Sequence, residues 1–380
     1  MRTFSALGPR AHAAFDVFGD GRTALKGGYG RFNHMREPAE ESALNPNVRA
    51  ETTWKWSDLN GNRNYDPGEV DLNPNGPGFV SISTGTPRIP NPDEQQPKTD
   101  VFTLSLEREL AANWAVRASG FYGNNFNTQR LLTVGRPYEA YNIPITRPDP
   151  GPDGRLGTGD DPGRSITFYE FPTALRGRDF ETTMVINDPN ADFSFTTVEV
   201  GATKRLSEGW QLVASYSATK HRIPFGRGEA RYALPLMAYN PNAEIFTADN
   251  TWEWLGKASG AYTFPYAVIA SVNFEHRSGE PLTRQVLFTG GATIPTIVLN
   301  VEPVGSRRTH HTNVLDLGVE KRLALGGDRS LGLRAELFNT LNISSVRNWN
   351  QRSGANFLNP VTPLDVTPPR VLQFDVSYTF

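Results

Sequence analysis

Within the stretch VLQFDVSYTF, residues 371–380, the nine residues from Leu372 onward alternate: Leu372, Phe374, Val376, Tyr378 and Phe380 are apolar, while Gln373, Asp375, Ser377 and Thr379 are polar. A β-strand turns successive side chains to opposite faces, so this period of two predicts a strand with one apolar and one polar face. The apolar face ends on an aromatic residue, Phe380.

The same period recurs upstream in pairs. PRAHAAFDVF (9–18) and TALKGGYGRF (23–32) flank Gly19, Asp20, Gly21 and Arg22, and Asp-Gly between two such runs is a strong hairpin signal. VFTLSLERE (101–109) and NWAVRASGFYG (113–123) meet around Leu110 to Ala112. FTTVEVGATKRL (195–206) and WQLVASYSATK (210–220) turn at Ser207, Glu208 and Gly209. WEWLGKASGAYTF (252–264) and AVIASVNFEH (267–276) turn around Pro265 and Tyr266, and NVLDLGVEKRL (313–323) and SLGLRAELF (330–338) around Gly326, Gly327 and Asp328. Five hairpins and the closing strand make about eleven strands of about ten residues, the length of a tilted membrane-spanning strand.

The faces separate. Val198, Val200 and Ala202 oppose Glu199, Thr203 and Arg205, and Leu315, Leu317 and Val319 oppose Asp316, Glu320 and Arg322. The connections also alternate, short within each pair and long between pairs, as in membrane barrels with short turns at one rim and long loops at the other. Trp114, Trp210, Tyr262 and Tyr378 fall near strand ends, where interfacial aromatics sit. These features predict an all-β fold, an antiparallel transmembrane β-barrel with long extracellular loops. A soluble sandwich or propeller shares the alternation but does not sort its loops by length in this way.

Composition narrows the function. The formal net charge of −2 over 380 residues gives no reason to expect nucleic acid. The absence of Cys excludes disulfides, thiol nucleophiles and thiolate metal sites. His12, His34, His221, His276, His310 and His311 show no zinc-site or triad spacing, and no GxSxG or P-loop pattern occurs, so an enzyme is not expected. The adjacent His310 and His311 read as a solvated loop pair.

Two segments have the oxygen-rich spacing of a twelve-residue calcium loop. DLNGNRNYDPGE (58–69) puts Asp58, Asn60, Asn62, Asn64, Asp66 and Glu69 at positions one, three, five, seven, nine and twelve, with Arg63 where Gly is usual. DPGPDGRLGTGD (149–160) puts Asp149, Asp153 and Asp160 at positions one, five and twelve, with Gly154 sixth. Turn-forming residues cluster in any long loop, so calcium is a possibility here and no cofactor is required. The charged residues Arg117, Glu199, Arg205, Asp316, Glu320, Arg322, Arg334 and Glu336 are expected to line a solvated lumen.

AHAAFDVFGDGRTALKGGYGRF (11–32), DVFTLSLERELAANWAVRASGFYG (100–123), FEHRSGEPLTR (274–284), LRAELFNTLN (333–342) and VLQFDVSYTF resemble, in that order, the barrel of TonB-dependent outer-membrane receptors, in particular the Oar-like group. That group carries a carboxypeptidase-regulatory-like domain ahead of the plug. The resemblance implies that residues 1–380 form the carboxyl-terminal part of a 22-stranded barrel, with the signal peptide, accessory domain, plug and remaining strands absent. It implies uptake of a nutrient ligand across the cell outer membrane, with TonB acting through the missing plug. It also implies outer-membrane lipid around the barrel, and Leu372, Phe374, Val376, Tyr378 and Phe380 as the signal read by the barrel-assembly machinery. A surface or adhesion barrel without transport is the alternative.

Overall fold

A computed structural model describes residues 6–34, 44, 51–82, 88–226 and 236–380. Eleven long strands form one antiparallel sheet in strict sequence order. They are β1 Arg10–Asp16, β2 Thr23–Asn33, β3 Lys98–Ala111, β4 Trp114–Phe126, β5 Phe193–Ser207, β6 Trp210–Arg222, β7 Trp252–Phe264, β8 Val268–Arg277, β9 Thr312–Gly326, β10 Arg329–Phe338 and β11 Val371–Thr379. β1 and β11 are the two edges, each paired on one side only.

Register explains the alternation. Glu199 pairs with Ser119 and Ser217, while the next residue, Val200, pairs with Ala118 and Tyr216. On β8 to β11, Asn273 lies opposite Asp316, Glu320 opposite Arg334, and Arg334 opposite Asp375. One face is therefore mainly polar, with Val213, Leu255 and Ile269 among its exceptions. The other carries Leu104, Leu106, Val198, Val200, Tyr216, Val319, Phe374 and Val376, all exposed. So long a row of exposed apolar side chains needs a non-aqueous surround, since a soluble protein rarely leaves such a surface in water.

All five tight turns lie at one end of the sheet, together with Phe380, and the long connections lie at the other. Glu208 and Gly209 take left-handed backbone at φ 52° and 81°, which a two-residue turn requires. The first hairpin departs from expectation. β1 stops at Asp16 instead of running to Phe18, because the Asp16 carboxylate accepts from the amides of Gly19 (3.1 Å) and Gly21 (2.8 Å) and closes a longer turn. On the apolar face near this end, Lys204 lies over the Trp210 ring at 4.5 Å. Its Nζ donates to Ser207 Oγ (2.5 Å) and to the Ser207 carbonyl (3.1 Å), so the charge folds back into the turn.

Candidate functional site

The long connections are not structureless. Ile143–Pro148 pairs with Ser165–Glu170, and Gln285–Thr289 pairs with Thr296–Asn300. These two ribbons pack through Ile166, Phe168, Val286, Phe288, Leu299 and Val301, a buried apolar cluster that belongs entirely to the connections. The Phe168 and Phe288 rings lie 5.7 Å apart. A further three-strand unit joins Arg88–Ile89, Gln129–Thr133 and Thr183–Asn187. The loop end of the sheet thus carries a folded assembly.

Two buried arginines lace it together. Arg284, 1% exposed, donates to Asp149 Oδ1 (2.8 Å) and Oδ2 (2.5 Å), the Gly151 carbonyl (2.9 Å), Ser353 Oγ (3.0 Å) and Glu302 Oε1 (3.0 Å). Three connections, 127–192, 278–311 and 339–370, meet on this one side chain. Burial pushes the Glu302 carboxyl up, but hydrogen bonds from Arg307 and Arg284 outweigh it and hold the group at about 2. Burial likewise opposes ionisation of Asp149, and its bonds to Arg284 and Arg164 again win and lower its pKa. Arg130 forms the second node. It pairs with Asp188 (2.8 Å) and Glu244 (2.7 Å) and donates to the Ala238 carbonyl (2.8 Å). Tyr138 donates to Glu244 at 2.9 Å, and burial together with this bond pushes its hydroxyl pKa up to about 12.

The predicted calcium loops fare differently. In residues 58–69, Asp58 accepts from the Gly61 (2.7 Å) and Arg63 (2.9 Å) amides. Glu69 accepts from the Leu59 and Asp66 amides and from the Trp56 indole. Asn60 and Asn62 both donate to Asp66 Oδ2. Asn64 turns aside, its amide nitrogen donating to the Asn62 carbonyl. Arg63 takes φ 62°, the left-handed backbone that the sixth position of such a loop requires. In residues 149–160, Gly154 takes φ 73°, yet Asp149 is withdrawn from the loop by Arg284 and Arg164. Asp153 offers its amide to Asp160, which also accepts from Thr158. Among the described residues no group of three or more His, Asp or Glu stands close enough to hold a metal ion.

Of the predicted inward residues, Arg117 and Glu199 form an ion pair on the polar face. Glu320 pairs with Arg322 and Arg334 with Glu336, each at 2.5 Å, and Asp316 accepts from the Asn339 amide. Arg205 follows at the irregularity in β5, where register shifts between Lys204 and Ser207. Leu372, Phe374, Val376, Tyr378 and Phe380 lie exposed on the apolar side of edge strand β11, and the Tyr378 and Phe380 rings stack at 5.8 Å. His310 and His311 lie exposed in the connection just before β9, and the His311 ring stands 5.8 Å from Trp254 and 5.6 Å from His276. Sequence reasoning missed Arg130 and Arg284 altogether, since nothing near either one marks its partners, which lie up to 135 residues away.

No curated protein matches the chain. Among solved structures it is similar to the siderophore receptor PirA from Acinetobacter baumannii, with a TM-score of 0.50, 9% identity, and coverage of 98% of this chain and 41% of that one. It is also similar to a mutant of the ferric enterobactin receptor PfeA from Pseudomonas aeruginosa, with a TM-score of 0.50, 11% identity, and coverage of 98% and 40%. The chain therefore spans about two fifths of the length of these structures, and at such identity the likeness establishes fold alone. A family model described as an outer membrane beta barrel domain matches residues 2–278, the greater part of the chain. The strand order, the apolar outer face and this match lead to one conclusion: the chain belongs to the outer membrane beta barrel domain family.

Proposed function

We propose that the chain is the carboxyl-terminal part of the barrel of a TonB-dependent outer-membrane receptor of the Oar-like group, whose outer loops capture a nutrient for active uptake. The observation that carries this reading is the folded loop assembly at the end opposite the tight turns, fixed by Arg284 and Arg130. A surface held in shape before ligand arrives loses less entropy on binding than a set of mobile loops, and that suits capture of a scarce solute. In this reading the inward charges face a solvated lumen and a plug, TonB acts through that plug, and the remaining strands of the protein close the barrel. The strand β11 and the aromatic residue after it address the chain to the assembly machinery, and lipid covers the apolar face. Calcium is proposed for the Asp58–Glu69 loop, where the sixth residue already has the required left-handed backbone.

Cells producing the protein are expected to accumulate its nutrient in a TonB-dependent manner. Growth on limiting nutrient that depends on both this gene and TonB supports the reading. Accumulation unaffected by loss of TonB would turn it toward a barrel without energised transport.

A further inference from the structure

A cavity of about 320 Å³ lies between connections 278–311 and 339–370, apart from the ion-pair nodes. Its wall is built from Gln285 and the run Asn348, Trp349, Asn350, Gln351 and Arg352. Four primary amides, one indole and one guanidinium are present, and no carboxylate. Two features suggest that the wall is built to hold something. First, it is rigid. The Gln285 amide donates to the Gln351 carbonyl and the Ser353 amide to the Gln285 carbonyl, both at 2.8 Å or less. The Gln351 side-chain oxygen accepts from the Thr283 amide at 3.0 Å, and Arg284 holds Ser353 from behind. The Asn350 backbone is bonded to Asn359 and Leu358 across the same connection.

Second, several of the polar ends are unspent, although the Gln285 side-chain nitrogen donates to Asn300 Oδ1 at 3.2 Å. The Asn350 side-chain oxygen is used by the Arg352 amide. Its nitrogen, the Gln351 side-chain nitrogen, the whole Asn348 amide and the Arg352 guanidinium have no hydrogen-bond partner among the described residues. Trp349 spends its indole N–H on the Val346 carbonyl, which leaves the ring as an apolar surface.

We propose that this cavity is a saccharide-binding site, an inference that rests on the reading of the outer loops as the capture surface. Adjacent sugar hydroxyls both donate and accept, and a primary amide offers a donor and an acceptor at matching separation. The C–H face of a pyranose ring packs on an indole, and apolar contact with a few convergent polar groups is the usual make-up of a small-molecule site. One guanidinium admits a single acidic sugar. It does not balance a chelate that carries several negative charges, which would call for a cluster of cations.

The test probes an array of neutral and uronic-acid oligosaccharides with outer-membrane vesicles carrying the full chain, against vesicles without it. Retention of one class is expected, with at least a tenfold weaker signal for Trp349→Ala. Arg352→Ala and Asn348→Ala change exposed side chains and keep the test open if Trp349→Ala does not fold. Arg352→Ala selectively loses acidic sugars if the retained class is uronic. No retention above control vesicles, or retention unchanged in all three variants, overturns the site. Binding without TonB-dependent uptake leaves the site standing and removes transport, whereas TonB-dependent uptake with no saccharide bound does the reverse.

Discussion

Replacing Arg284 by Met removes the node shared by three connections and leaves the eleven-stranded sheet untouched. Methionine fills much of the aliphatic volume but donates nothing to Asp149, Gly151, Ser353 or Glu302. Asp149, 2% exposed, then keeps only the Gly151 amide and Arg164, a half-exposed side chain at 3.1 Å. Breaking a buried pair from one side costs about 3–5 kcal/mol, because the surviving charge stays out of water without its partner. A cost of about 3 kcal/mol multiplies the opened fraction of the assembly by on the order of 100. Hydrogen exchange read by mass spectrometry, with the protein in membrane vesicles, is expected to show faster exchange across 143–170 and 281–301. Trypsin is expected to gain access to Arg155 and Arg164, with the amides of β3 to β10 unchanged. Arg284→Met combined with Asp149→Leu is expected to recover most of the loss, since neither charge is then buried. Unchanged loop exchange in Arg284→Met, or a loss spread evenly through the sheet, refutes the account of Arg284 as a loop-specific lock.

Acid is expected to open the same assembly. Asp149 and Glu302 have folded-state pKa values below the ordinary carboxylate range, so their stabilisation is complete above about pH 5 and is lost as pH falls toward the Glu302 value of about 2. Loop protection measured against pH should therefore be flat near neutrality and fall below about pH 4. Val200→Arg places a charge on the apolar face and is expected to cost about 2–4 kcal/mol if mid-membrane, while Ser217→Arg on the polar face costs within about 0.5 kcal/mol. Heat-modifiable gel mobility compares the two, and equal effects would contradict the assignment of faces. Deleting Phe380 is expected to reduce assembly into the outer membrane several-fold, read by surface accessibility, and undiminished assembly counts against β11 as an address. For the Asp58–Glu69 loop, calorimetry with calcium is expected to give a binding heat that Asp58→Ala and Glu69→Ala abolish, and silence at millimolar calcium removes the proposal.

The sheet was legible because its determinants are local. Alternation fixes which side chains share a face, and Gly209 and Gly327 sit where the backbone turns left-handed. What misled at Asp16 was also local, a side chain that stops its own strand by capping the next turn. The loop assembly escaped because its determinants are distant. SITFYE, QVLFT and TIVLN are runs of only five or six residues, and nothing within any of them says which other run it packs against. Asp149 shows the same limit sharply. Its position in a Gly- and Pro-rich twelve-residue loop suggests a ligand for a cation, and the cation that arrives is a guanidinium from another connection.

The direction of the edges constrains whatever surrounds this sheet. With eleven strands and every neighbour antiparallel, β1 and β11 run the same way, both from the loop end to the turn end. The sheet therefore cannot close on itself, or ring-close with one further copy inserted in the same orientation, without parallel seams. All of β1 and β11 is exposed, so both edges present backbone groups that hydrocarbon cannot satisfy, at several kcal/mol for each unpaired group. A closed antiparallel barrel containing this sheet needs an odd number of further strands, whose two outermost members run from the turn end to the loop end. The same parity keeps every tight turn at one rim and the Arg284 assembly at the other, so the closing strands add to the wall without altering which side of the membrane the loops face.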